Sequence, residues 1–202
     1  MTQLHTKSLT DREIYKLLIG SILPRPVALI TTLNENKTTN AAPFSYVNIV
    51  SSSPAIISLS VKRKNHEPKD TARNILREKS FVLHVVDESY LEDANKTSKP
   101  LPYGKSEITN SKLTLIDSSL ISTKSIKEAK IRMEIKLYAY LPIEKDNQIE
   151  TDFFLGEVVM FHIEEGLLKD GKINKDLLKP IGRLAGNDYT TLGTTITIER
   201  EN

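Results

Sequence analysis

Two periods of apolar recurrence run along the chain, and the switches between them mark its elements. Leu9-Thr10-Asp11-Arg12-Glu13-Ile14 opens a helix, with Thr10 as N-cap, Glu13 at the reciprocal position of a capping box and Leu9 facing Ile14 as a hydrophobic staple. The helix runs to about Leu18. Val27 to Leu33 and Thr38 to Val47 read as strands joined by the polar turn Asn34-Glu35-Asn36-Lys37, a hairpin. Ala55 to Val61 alternates, with Ile57, Leu59 and Val61 on one face and Ile56, Ser58 and Ser60 on the other, so one face is core and the other is free to meet a ligand. A helix from about Asp70 to Glu78 and a strand from Ser80 to Val86 follow. A further helix after Asp87, with Tyr90, Leu91 and Ala94 on one side, ends at Pro100 and Pro102.

From Leu101 to about Lys124 the chain is rich in Ser, Thr and Lys and reads as an excursion of turns with one short strand. Lys130 to Ile143 points Ile131, Met133, Ile135 and Leu137 inward, Asp146-Asn147 turns the chain, and Phe153 to Ile163 completes a long second hairpin. Thr194 to Ile198 reads as a last strand. Strands at hairpin spacing with only a few short helices predict a mainly β fold, an antiparallel sheet closed into a barrel. Periodicity does not say which kind of small barrel.

The 202 residues suit one domain spanning 1–202. A net charge of +2 gives no global field that would draw a polyanion, so no nucleic-acid partner is expected and any basic patch must be local. The absence of cysteine excludes disulfides, thiolate metal sites and thiol redox chemistry, so electrons would move only through a cofactor. The first residues lack the apolar core of a signal peptide, and no apolar run approaches the ~18 residues that span a bilayer. The expectation is a cytoplasmic protein with no membrane partner.

Candidate chemistry concentrates between Asn40 and Thr71, a stretch suited to a phosphorylated, planar ligand. Lys62, Arg63 and Lys64 follow the Ala55–Val61 strand, and Pro68, Lys69, Asp70 and Thr71 open a helix. Lys69, the Thr71 hydroxyl and the first-turn amides beside Asp70 together suit a phosphate dianion. Capping by Asp70 or Thr71 is the plainer alternative, but it leaves the cations and Ser60 unexplained. Upstream, Ala41, Ala42, Pro43 and Ser45 are small enough to let backbone approach a flat ring, with Phe44 or Tyr46 beside it. An ordinary strand and loop rich in small residues is the alternative there.

Four motifs, in order, carry a resemblance: Pro24-Arg25-Pro26-Val27-Ala28-Leu29-Ile30, Asn40-Ala41-Ala42-Pro43-Phe44-Ser45-Tyr46, Lys69-Asp70-Thr71, and Gly182-Arg183-Leu184-Ala185-Gly186 with Tyr189. Over nearly the whole chain the sequence resembles the flavin reductase-like, FMN-binding split-barrel family that includes the flavoredoxins. Asn65-His66-Glu67 stands where members often carry a glycine, and Ala185 where a second glycine is common.

The resemblance implies an antiparallel split β-barrel that binds FMN and takes hydride from NADH or NADPH, handing reducing equivalents to free flavin, oxygen or a protein. A flavoredoxin-like carrier with a protein redox partner is the second reading. It also implies a homodimer with each flavin near the subunit boundary. Carried over by residue, Ser58, Ser60, Lys62, Lys69 and Thr71 surround the phosphate, Asn40 begins the ring-side motif, and Thr31 or Thr32 meets the ribityl chain. Arg25, held between two prolines, reaches a flavin or nicotinamide phosphate or is simply exposed. Arg183 and Tyr189 lie near the flavin or the dimer contact, or Gly182 and Gly186 merely make turns around an exposed arginine. His84 and His162 lie in apolar strands, where a buried, hydrogen-bonded ring is the default, and His162 is a candidate for lining a nicotinamide pocket. No histidine spacing supports a metal. No dinucleotide-fold glycine fingerprint is present, so a nicotinamide would dock transiently over the flavin. A nucleic-acid-binding barrel using Lys62, Arg63, Lys64, Lys69, Arg73 and Arg77 is a third reading, opposed by the lack of interleaved stacking aromatics.

Overall fold

A computed structural model describes residues 1–199. Helix α1 (Asp11–Ser21) begins as its sequence requires: the Glu13 carboxylate accepts the Thr10 N–H at 2.8 Å, and Thr10 Oγ1 accepts the Glu13 N–H at 3.3 Å. The short β1 (Arg25–Pro26) leads into β2 (Ala28–Leu33), β3 (Thr39–Phe44), β4 (Val47–Ser52) and β5 (Ala55–Lys62). Helix α2 (Asp70–Glu78), β6 (Ser80–Val85) and α3 (Leu91–Lys96) follow, then the two-residue pair β7 (Leu115–Ile116) and β8 (Ser125–Ile126). The long hairpin is β9 (Ile131–Lys145) and β10 (Gln148–Ile163), turned by Asp146 and Asn147, both with positive φ, +52° and +59°. Short β11 (Leu168–Lys169), β12 (Lys172–Ile173), α4 (Lys175–Leu178), β13 (Gly182–Arg183) and β14 (Tyr189–Thr190) complete it.

The main sheet has seven antiparallel strands in the order β3-β2-β6-β9-β10-β5-β4. Its two outermost strands, β3 and β4, are consecutive in the chain and joined by only Ser45 and Tyr46. A sheet whose edges are tied by a two-residue link must curl until those edges converge. No ladder pairs β3 with β4, so the barrel stays split along this seam. A separate small sheet, β1-β13-β14, brings Arg25 opposite Arg183 and Arg183 opposite Tyr189.

Inward side chains fill the barrel. Ile30, Leu59, Val61, Ile75, Phe81, Ile135 and Phe154 form one cluster, with Ala72 and Ile75 of α2 among its members. Gly156 is where β10 passes closest to it, since a Cβ there would lie 2.4 Å from Ile135 Cγ2.

Several expected elements differ. The expected strand Thr38 to Val47 is broken at Ser45–Tyr46, which is the seam, and a strand not read from the sequence, β4, starts at Val47. Val47 packs against the core, but Ile49 and Val50 are 79% and 52% exposed, so the usual in–out alternation is missing. Thr194 to Ile198 makes no strand: the segment pairs with nothing and leaves Ile196 81% and Ile198 84% exposed. Alternation gives a strand only where a sheet edge accepts it.

Candidate functional site

A cavity of about 420 Å³ opens at the seam. Pro43, Phe44, Ser45 and Tyr46 form the wall where β3 gives way to β4, and Ser60 and Lys62 come from the last turn of alternation in β5. Lys69, the N-cap residue of α2, adds a second ammonium. Tyr15 and Ile19 of α1 enter from one element, and Asn95, Ser98, Arg183, Leu184, Asn187 and Tyr189 from α3 and the β13–β14 turn. A second cavity of about 540 Å³ adjoins it, sharing Ile19, Arg25, Ser45, Tyr46 and Ser60 and walled by Leu18, Ile22, Pro24 and Val47.

The first cavity is positive without compensation. No Asp or Glu among the described residues lines it. Lys62 Nζ lies 5.8 Å from the Tyr15 ring centre, and Lys69 Nζ 5.8 Å from that of Phe44. Neither ammonium has a carboxylate partner among the described residues. Desolvation, then the nearby charge of Lys62, lowers the Lys69 pKa below the ordinary lysine value. The three arginines of this stretch are paired within the protein: Arg63 forks onto Asp152 at 2.8 and 3.0 Å, Arg73 pairs with Glu67 and Asp70, and Arg77 with Glu78. Of the six cations read as a phosphate-tracking patch, the three arginines are therefore engaged by acids of the protein itself.

The structure brings together Pro43, Phe44, Ser45, Ser60, Lys62, Lys69, Arg25, Arg183 and Tyr189 in this cavity, and puts Ser58 in the adjoining one. It takes others elsewhere. Thr31 is fully buried and its hydroxyl donates to the Lys124 carbonyl at 2.7 Å, so it does not meet a ribityl chain. Thr32, Asn40 and Thr71 form a buried network in which Asn40 Nδ2 donates to the Thr32 and Thr71 hydroxyls at 3.0 and 3.1 Å. Their side chains fasten α2 to the β2–β3 hairpin and do not line the cavity. Ala41 is fully buried, its N–H donating to Glu107 Oε2 at 3.1 Å, while Ala42 lies behind the cavity wall and Asp70 pairs with Arg73.

Arg25 is neither exposed nor a free phosphate ligand. At 8% exposure its Nη1 donates to the Ile19 carbonyl at 2.7 Å and its Nη2 to the Leu184 carbonyl at 2.8 Å, tying the end of α1 to the start of the β13–β14 turn, while Nε is buried without a partner among the described residues. Gly182 is not a turn residue: it lies in β13, and a Cβ there would approach Pro24 Cβ to 2.7 Å. Gly186 does turn the chain, at φ +63°. The loop lacking the family glycine is a tight turn in which Asn65 and His66 themselves take positive φ, +51° and +64°, between paired Lys64 and Glu67.

His162 lines neither cavity. Its Nε2 meets Glu134 Oε1 at 2.7 Å, and the same buried carboxylate accepts the Ser119 and Leu120 N–H groups at 2.6 and 2.7 Å, so the histidine helps to pin that loop. Burial alone would raise the Glu134 pKa, but these three hydrogen bonds hold it below the usual value. His84 is the buried, satisfied ring expected: Nδ1 donates to the Leu29 carbonyl at 2.8 Å and Nε2 accepts the Ile126 N–H at 2.9 Å. Tyr15, Asn95, Ser98 and Asn187 were not legible as cavity residues, since single polar residues in turns and an exposed helix tyrosine carry no pattern.

With this geometry in view, the chain matches the flavin reductase like domain over residues 19–178 and belongs to that family of flavin-related oxidoreductases. It is 44% identical over 195 residues to the uncharacterized protein YwrF of Bacillus subtilis, covering 95% of each chain. The crystal structure of nitrilotriacetate monooxygenase component B from Bacillus cereus is similar with a TM-score of 0.96 and 44% identity, over 98% of each chain. That of the 2-nitrobenzoate 2-nitroreductase NbaA from Pseudomonas fluorescens is similar with a TM-score of 0.88 and 30% identity, over 99% of this chain and 96% of that one. The fold is the split barrel these flavin proteins share. Among the described residues no helix is long and apolar enough to cross a membrane.

Proposed function

We propose that the seam cavity binds FMN and that the protein is an oxidoreductase reducing it with NADH or NADPH. One observation carries the reading: among the described residues, two lysines without acid partners converge with Ser60 on a cavity whose lining contains no carboxylate. Such a donor set suits a phosphate monoester of charge about −2 at neutral pH. Lys62, Lys69 and Ser60 would hold that phosphate, and the wall from Pro43 to Tyr46 would face the ring. Bound there, FMN supplies the redox chemistry by taking up hydride from a nicotinamide ring. The chain's own part is to neutralise the phosphate, orient the ring and leave one side open to a second reactant.

The homodimer is proposed on exposed apolar surface around the second cavity. Leu18 (54%) and Ile22 (62%) of the α1 region and Val50 (52%) and Ile49 (79%) of β4 are left uncovered beside it. Light scattering that gives a monomer would remove this part of the reading.

The test is the visible spectrum of the purified protein, FMN titration, and anaerobic addition of NADH and NADPH. Flavin bands near ~370 and ~450 nm or tight FMN uptake, then bleaching by a pyridine nucleotide, support the reductase. FMN uptake without bleaching supports a carrier that exchanges electrons with a protein partner, and uptake of neither FMN nor FAD rejects both.

A further inference from the structure

Charge is left over in the seam cavity after a phosphate is accounted for. Its lining holds Arg25, Lys62, Lys69 and Arg183 and, among the described residues, no acid. One phosphate monoester of charge about −2 balances the two lysines. The two arginines stand directly opposite each other across the β1–β13 ladder, an arrangement of like charges that costs stability unless an anion relieves it. Arg25 commits both terminal nitrogens to the Ile19, Ile22 and Leu184 carbonyls, whereas Arg183 makes one such bond. Its guanidinium lies 4.2 Å from the Tyr189 ring centre, with one nitrogen, Nη2, donating to the Gly186 carbonyl. Nε and Nη1 make no hydrogen bond among the described residues. Tyr189 is itself fixed, its hydroxyl donating to Asn95 Oδ1 at 3.1 Å.

We propose that Arg183, held over the Tyr189 ring, is a second anion-binding subsite, so that the FMN-loaded protein selects a planar substrate bearing a carboxylate or phosphate over its uncharged isostere. The inference rests on the FMN reading above. Because Nη2 spends one of its two N–H groups on Gly186, its other N–H with the neighbouring Nε or Nη1 leaves one two-donor edge, which matches a carboxylate or phosphate in two-point geometry. A cleft with residual positive charge raises the local concentration of such anions.

The test uses the oxidised, FMN-loaded protein and reads perturbation of the flavin spectrum by two pairs of probes, benzoate against benzamide and adenosine monophosphate against adenosine. The anion of at least one pair is expected to bind roughly ten- to a hundredfold tighter than its neutral counterpart. The pair that shows the preference tells whether a carboxylated or a phosphorylated ring is the ligand. Salt should erode the preference. Arg183→Gln should bring the ratio close to one while FMN affinity, measured first by titration, changes less than about threefold. Equal binding of anion and neutral probe in both pairs overturns the proposal, as does a ratio that survives Arg183→Gln. A tenfold loss of FMN affinity in that variant also overturns it, since Arg183 would then serve the cofactor itself. Failure of the wild-type protein to take up FMN appears in the titration, before any probe is added, and rejects the underlying reading as well.

Discussion

The ammonium of Lys69 lies 5.8 Å from the centre of the Phe44 ring, so the residue that caps α2 and the last residue of β3 share one wall of the seam cavity. Lys62 reaches the same cavity from the end of β5. Replacing either lysine by methionine removes a charge-assisted contact to a phosphate, and FMN affinity should fall roughly ten- to a hundredfold by fluorescence titration. The pH profile separates the two. Only charged Lys69 attracts a phosphate, and its pKa is lowered by desolvation and by Lys62. Wild-type affinity should therefore hold at neutral pH and fall as pH rises through a value below the ordinary 10.5 of lysine. In Lys69→Met that decline should disappear.

The free edge of β3 is held by an acid that no sequence pattern marks. Glu107 is 8% exposed and its Oε2 accepts the Ala41 N–H at 3.1 Å, two residues before the cavity wall begins. Glu107→Ala leaves that N–H without its partner and should cost about 1–3 kcal/mol in urea unfolding. FMN binding should weaken with it. Glu107→Gln keeps an acceptor oxygen and should restore both. Burial, and to a lesser degree Asp70, raises the Glu107 pKa despite the Ala41 hydrogen bond. A raised acid contributes stability fully below its unfolded pKa near 4.5 and loses it as pH rises through the folded value. Glu107→Gln should therefore gain stability relative to wild type on going from pH 4.5 toward neutrality.

Much of the barrel was readable because strands such as β5 bury alternating residues, as Ile57, Leu59 and Val61 do, and because Thr10 and Glu13 spell out a helix start. The seam was not. Pro43 to Val47 carries an unbroken strand-like pattern, and the break at Ser45–Tyr46 follows from the closure of the sheet, a long-range constraint that local periodicity does not contain. Within the site, residues that face outward from regular positions, such as Ser60 and Lys62, were legible. Asn40, Thr71 and Thr31 have the right chemistry for a ligand, but they spend their hydrogen bonds on each other or on the Lys124 carbonyl. Only packing distinguishes a polar side chain that fastens two elements from one that faces a cavity.

Two glycines should respond to alanine with opposite signs. At Gly156 a methyl would lie 2.4 Å from Ile135 Cγ2 and 3.0 Å from Phe81 Cζ, both in the filled interior. Gly156→Ala should destabilise by about 1–3 kcal/mol, as overpacked cores do. Gly20 lies in α1 with nothing within 4 Å of the added atom, so Gly20→Ala should stabilise by roughly 0.5–1 kcal/mol through helix propensity. Thermal or urea unfolding of the two variants gives both signs.

His84 makes acid stability a test of hydrogen-bond direction. Its ring is fully buried, and desolvation lowers its pKa to about 3 against an ordinary 6.5, outweighing the Leu29 carbonyl that favours the charged ring. In the folded protein Nε2 must stay unprotonated to accept the Ile126 N–H, which links β6 to β8. Below about pH 6.5 the unfolded chain takes up a proton at this residue that the folded chain refuses, so stability falls with decreasing pH by up to ~1.4 kcal/mol per unit until the folded pKa is reached. Urea unfolding between pH 5 and 6.5 should show this slope in the wild type. Replacing His84 by glutamine should reduce it by one proton, whatever the variant does to stability at neutral pH. A slope left unchanged would mean that the folded protein carries a charged ring, with Nε2 donating where the geometry requires it to accept.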